Sequence, residues 1–105
     1  MAAMHLNRET FCQLLADEKP ALVEFWAPWC VHCRNLEDDF ERIASVYSDR
    51  LLVGKINIDD CSELAERHFI EYVPTLVIFA EGELIDFVIS PPDYEAIAQF
   101  IEESL

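Results

Sequence analysis

The sequence predicts an α/β fold: a central mixed β-sheet of four to five strands flanked by helices on both faces. Three observations carry this. Apolar runs of strand length alternate with segments of helical periodicity, in the order α-β-α-β-α-β-β-α, and strands joined through helices pair in parallel. The last two apolar runs, Thr75–Ala80 and Leu84–Ile89, are separated only by Glu81-Gly82-Glu83, so they form an antiparallel hairpin. The chain has 105 residues, 52% of them apolar, which suits one domain over residues 1–105 with a modest core.

The elements follow in order. Asn7 can cap a helix running to about Asp17, with Phe11, Leu14 and Leu15 on one face. Lys19-Pro20 ends it. Ala21–Ala27 is nearly all apolar, as expected of a buried central strand. From about Val31 to Tyr47, Leu36, Phe40, Ile43, Ala44 and Tyr47 recur at helical spacing, and Glu37, Asp38, Glu41 and Arg42 are expected to face solvent. Leu51–Ile58 is the second main strand. Asp60-Cys-Ser-Glu63 reads as a capping box opening a short helix to about Phe69. Ser90-Pro91-Pro92-Asp93 reads as a serine cap with proline at the first helical position, before a final helix with Ile97, Phe100 and Ile101 facing in. A weak extra strand at Met4–Leu6 is also expected.

Charge narrows the function. The net charge of −14 repels phosphate backbones and anionic lipid surfaces, so neither nucleic acid nor membrane is an expected partner. The charge serves solubility or steers the protein toward basic partners. No stretch approaches the ~18 consecutive apolar residues of a membrane span. Met1–Leu6 has no basic or long apolar region, so no signal peptide and a cytoplasmic location are expected. The four cysteines, Cys12, Cys30, Cys33 and Cys61, are too sparse for a disulfide-stapled secreted domain. They fit a reducing compartment in which one pair does chemistry. Cys12 and Cys61 are expected to be small buried or capping residues.

That pair is Cys30-Val31-His32-Cys33. It stands where an apolar strand ends and a helix begins, which marks a redox site by position as well as composition. The N-terminus of a helix favours an anion, so Cys30 is the expected attacking thiolate. Cys33, about one turn in, is the expected resolving thiol. Glu24 is the one charge in an otherwise apolar strand and is the candidate base, the alternative being a solvent-facing edge residue. His32 can donate to the Cys30 thiolate or place positive charge near it, which makes the disulfide more oxidising; the alternative is an exposed imidazole of little effect.

With these residues in place the chain resembles a thioredoxin over nearly its full length. Phe25-Trp-Ala-Pro-Trp-Cys-Val-His-Cys-Arg34 resembles the family's active-site segment, and Lys55-Ile-Asn-Ile-Asp59 its lysine-bearing strand. Val73-Pro74-Thr75-Leu76 resembles its cis-proline loop, and Phe79-Ala-Glu-Gly82 the turn of its final hairpin. Four departures stand out. Val31-His32 replaces the usual Gly-Pro between the cysteines, and Glu24 the usual buried aspartate, as in protein disulfide isomerase domains. Asp38 takes the place of a helix-kinking proline, and Ser90 that of a glycine.

The resemblance implies a thioredoxin fold and a protein-disulfide reductase with no cofactor beyond its own redox-active Cys30–Cys33 disulfide, and no metal. It implies that Lys55 pairs with Glu24, and that Trp26 and Asp59 form a pair bracing the active-site loop. Trp29, Pro28, Val73 and a cis Pro74 then present a surface for substrate. Expected partners are disulfide-containing proteins and a dithiol donor such as a thioredoxin reductase, met by a monomer. Three alternatives compete: a disulfide isomerase or oxidase whose potential is raised by His32, a redox-silent adaptor, and a metal-binding module on Cys30, Cys33 and a histidine. Zinc usually draws four ligands from two motifs, and this chain has one.

Overall fold

The computed structural model describes residues 2–105. Five strands form one sheet: β1 (Met4–His5), β2 (Ala21–Trp26), β3 (Leu52–Asn57), β4 (Thr75–Ala80) and β5 (Glu83–Ile89), in the order β1-β3-β2-β4-β5. β3 runs parallel to β1 and β2, and β4 runs antiparallel to β2 and β5. The sheet is therefore mixed, with the weak first strand present at its edge. Four helices cover it: α1 (Arg8–Leu15), α2 (Val31–Val46), α3 (Ser62–Arg67) and α4 (Tyr94–Ser104).

The alternation along each strand divides the core in two. Leu22, Leu76 and Ile78 meet Leu36, Phe40 and Ile43 of α2 and Ile97 and Ile101 of α4. Val23, Phe25, Val77 and Phe79 meet Phe11 and Leu14 of α1 and Leu64 of α3. Period-two alternation sends Glu24 to the α2 face, between Leu22 and Trp26. Gly54 of β3 is set by a close approach: a Cβ there would lie 2.5 Å from Leu6 Cδ1 and 2.9 Å from Leu6 Cγ. Gly54→Ala is expected to cost about 1–3 kcal/mol through overpacking, measured by urea denaturation. An unchanged midpoint would show that Leu6 moves aside freely.

Capping matched expectation only in part. Asn7 caps α1 reciprocally: its side chain accepts the Thr10 N–H at 2.9 Å, and Thr10 Oγ1 accepts the Asn7 N–H at 2.8 Å. The Asp60–Glu63 box does not form. The N-cap of α3 is Cys61, without a side-chain cap bond, and the Asp60 and Cys61 N–H groups both turn back to the Asn57 carbonyl. Ser90 does not cap α4. It lies at φ 50°, outside the extended region an N-cap needs, and Pro92 disfavours helical geometry at Pro91. Asp93, in extended backbone, accepts the Ala96 N–H at 2.9 Å, and Asp39 of α2 takes the Tyr94 N–H at 3.1 Å. Ser90 thus occupies a left-handed conformation that glycine adopts most easily. Cys12 is exposed rather than buried, because α1 turns only Phe11 and Leu14 fully inward.

Candidate active site

The end of β2 and the start of α2 build the site. The Cys30 N–H bonds to the Ala27 carbonyl at 3.1 Å, turning the chain, and the Arg34 N–H bonds to the Cys30 carbonyl at 3.2 Å, starting the helix. Cys30 is the N-cap of α2, and its Sγ accepts the Cys33 N–H at 3.1 Å. A helix leaves its first N–H groups without internal partners, and here one of them is directed at sulfur. The same Sγ lies 3.5 Å from the Val73 carbonyl, across a Val73–Pro74 bond that is cis. Both cysteines carry free thiols and are buried beside Ala27, with Trp26, Ile58 and Val73 packed around them.

The two sulfurs are not equivalent. Cys33 is pushed up to about 12, first by burial, then by its hydrogen bond with Cys30 and by the charges of Cys30 and Glu24; the Ala27 backbone opposes this. Glu24 is 1% exposed, and burial raises its carboxyl to about 7. The Lys55 ammonium pulls it down and the Glu37 and Glu41 carboxylates push it up. Its carboxyl therefore titrates near neutral pH, the range that suits a general base.

Several expected contacts are rearranged. Lys55 is buried and stands opposite Glu24 in the β2–β3 register. Among the described residues it makes no ion pair with Glu24 within 4.0 Å; its Nζ lies 3.9 Å from Glu37 and 4.0 Å from Glu41. Glu41 is accordingly half-buried rather than solvent-facing, and it also accepts the Ala3 N–H at 2.8 Å. Asp59 does not brace Trp26. It accepts the Trp29 indole N–H at 3.2 Å, and Trp26 Nε1 has no partner among the described residues, its ring lying beneath the Lys55 ammonium at 4.9 Å. The contact that His32 makes is with Pro91: its Nε2 meets the Pro91 carbonyl at 3.2 Å.

The remaining predicted residues lie on the rim. Trp29 is 62% exposed, Pro28 is exposed beside it, and the Pro28 carbonyl accepts from Arg34 at 2.8 Å. Val73, just before the cis Pro74, faces the cysteines from the β4 side. Sequence reading missed Glu37 and Glu41, although a buried lysine in an apolar strand requires anionic company. Two glutamates one helical turn apart on the covering helix were the available signal. Among the described residues no helix is long and apolar enough to cross a membrane, and no group of three or more His, Cys, Asp or Glu side chains is gathered to hold a metal ion.

The thioredoxin family model matches residues 2–103. Thioredoxin 1 of Nostoc sp. is 35% identical over 105 residues, covering 99% of this chain and 98% of that protein. Protein disulfide-isomerase A4 of Rattus norvegicus is 35% identical over 102 residues, covering 94% of this chain and 16% of that protein. A solved thioredoxin structure from Malassezia sympodialis superposes with a TM-score of 0.88 at 26% identity, over 99% of this chain and 92% of that one. Fold, relatives and the paired thiols at a helix start agree on one class of protein, the thiol–disulfide oxidoreductases. The chain belongs to the thioredoxin family.

Proposed function

We propose that the protein reduces disulfides in other proteins by dithiol–disulfide exchange. The observation that carries this is the position of Cys30: an N-cap sulfur that accepts a helix N–H and adjoins the Val73 carbonyl. Helix N–H groups favour an anion, and the Val73 backbone beside the sulfur suits an extended substrate. The Cys30 thiolate attacks one substrate sulfur, the substrate S–S bond breaks, and the other sulfur leaves as a thiolate. Glu24 then accepts the Cys33 proton, and Cys33 attacks Cys30 Sγ. The mixed disulfide breaks, the Cys30–Cys33 disulfide forms, and the substrate leaves with both electrons. Proton removal from Cys33 becomes easier at this step. Its elevation to about 12 owes part to the Cys30 thiol, and that part is lost once Cys30 is bound to substrate.

In this reading residues 1–105 act as one monomeric domain in a reducing compartment, the cytoplasm, and free Cys12 and Cys61 suit such a setting. Trp29, Pro28, Val73 and Pro74 contact the substrate protein, Lys55 tunes Glu24, and Trp26 packs beneath it. No cofactor is required beyond the Cys30–Cys33 pair, which a dithiol donor such as a thioredoxin reductase regenerates. Insulin reduction driven by a thioredoxin reductase tests the reading; no turnover, together with rescue of scrambled ribonuclease, would favour isomerisation instead.

A more oxidising potential is favoured by one contact. A carbonyl accepts, so His32 donates from Nε2 to Pro91, which fixes the ring. A histidine two residues after Cys30 can place positive charge near the sulfur, which favours the thiolate and hence the reduced form. The potential is expected above about −270 mV, and His32→Pro is expected to lower it. Equilibration with glutathione measures both; a potential at or below that value, or no change in the variant, makes the imidazole a bystander.

A further inference from the structure

Lys55 has a choice of partners, and its geometry shows which it takes. Parallel register sets Lys55 of β3 directly beside Glu24 of β2, on the same face of the sheet. Both are almost wholly buried. Opposite charges in a low-dielectric interior attract strongly, so the pair would be expected to close. Instead the Lys55 ammonium reaches outward, over the Trp26 ring, to Glu37 Oε1 at 3.9 Å and Glu41 Oε2 at 4.0 Å. These two acids are four residues apart on α2, so their carboxylates flank the lysine tip. Glu41 is itself anchored, its Oε1 accepting the Ala3 N–H at 2.8 Å. Glu24 Oε2 is left without a hydrogen-bond partner among the described residues.

We infer that Glu37 and Glu41 are positioning residues for proton transfer: they clamp the Lys55 ammonium at the helix side and keep it from closing on Glu24, so that Glu24 stays free to take the Cys33 proton. The inference rests on the reading of Glu24 as base. The ionisable groups facing Glu24 are Lys55 from β3 and Cys33, Glu37 and Glu41 from α2; its neighbour on β4 is the uncharged Leu76. With the clamp gone, Lys55 turns back to Glu24 and holds it as the carboxylate, a weaker base.

Two readouts separate the clamp from the base. The first is the Glu24 titration midpoint, followed by carbon NMR of the labelled carboxyl in the reduced protein. In E37Q/E41Q it is expected to move toward acid by roughly one unit or more, the scale of an opposite charge closing to contact. In a Lys55→Met background the same two substitutions are expected to move it by less than half as much, since only direct repulsion is then removed; Lys55→Gln serves if Lys55→Met does not fold. The second readout is the pH dependence of Cys33 attack on a preformed mixed disulfide between Cys30 and a chromophoric aromatic thiol. Its acid limb is expected to move with the midpoint. No movement of the midpoint, or equal movement with and without Lys55, overturns the clamp. A moved midpoint with an unmoved kinetic limb overturns Glu24 as the base, and with it any role of the clamp in proton transfer.

Discussion

Cys33→Ser is expected to accumulate substrate proteins as mixed disulfides on Cys30, whereas Cys30→Ser loses exchange by about three orders of magnitude or more, as removal of a covalent nucleophile does. The asymmetry follows from where each sulfur sits. Cys30 caps α2, receives the Cys33 N–H and faces the Val73 carbonyl at the rim. Cys33 lies one helical turn inward, and burial is the main cause of its elevation to about 12. It therefore reacts only once Cys30 has brought a disulfide to it. Serine at position 33 removes the second displacement and leaves the first intact, so the intermediate persists. Non-reducing electrophoresis and mass spectrometry of the trapped conjugates check this. Equal trapping by Cys30→Ser through Cys33 would reverse the assignment.

Glu24→Gln is expected to slow resolution of the mixed disulfide by about a hundredfold or more, the scale of a positioned general base, and at the same time to stabilise the fold at alkaline pH. The sign follows from the direction of the shift. Burial raises the Glu24 carboxyl from 4.5 to about 7, so the folded protein holds this proton where the unfolded chain has released it. Below pH 4.5 both states are protonated and nothing is lost. As pH rises through 4.5 the unfolded state gains by ionising, and the loss of stability is complete above about pH 7. A shift of this size amounts to roughly 3 kcal/mol. Relative to the parent protein, Glu24→Gln should therefore gain about that much between pH 4.5 and pH 8. Urea denaturation at the two pH values measures it. A difference independent of pH would mean that Glu24 titrates alike in both states.

Cys30, Cys33 and Glu24 were legible before any coordinates because their signals are local. A Cys-x-x-Cys at a strand-to-helix junction needs only the junction, and a lone carboxylate in Ala21–Ala27 needs only the apolar run around it. Strand and helix identities were legible for the same reason: periods of two and 3.6 are written in neighbouring residues. Caps were less so. Asn7 and Thr10 satisfy each other within one turn, but Ser90, the expected cap of the last helix, does not cap it. The backbone of Ser90, bonded through its N–H to the Pro74 carbonyl at 2.8 Å, selected Asp93.

Partners across elements were not legible. Asp59 reaches Trp29 rather than Trp26, His32 reaches Pro91 rather than Cys30, and Lys55 reaches Glu37 and Glu41 rather than Glu24. Each choice is made between partners on different elements, and angstrom-scale placement of loops and helices decides it. The amino-acid order alone marked an α/β fold, the Cys30 and Cys33 pair at a strand-to-helix junction, and the lone acid in the preceding strand, because hydrophobic period and helix-end electrostatics act over a few residues; the resemblance of its motifs added the thioredoxin fold. Only the tertiary structure decided where the charges around that acid go. Ion pairs and hydrogen bonds fall off within a few ångströms, so packing of α2 against β3, not sequence spacing, sets Lys55 beside Glu37 and Glu41.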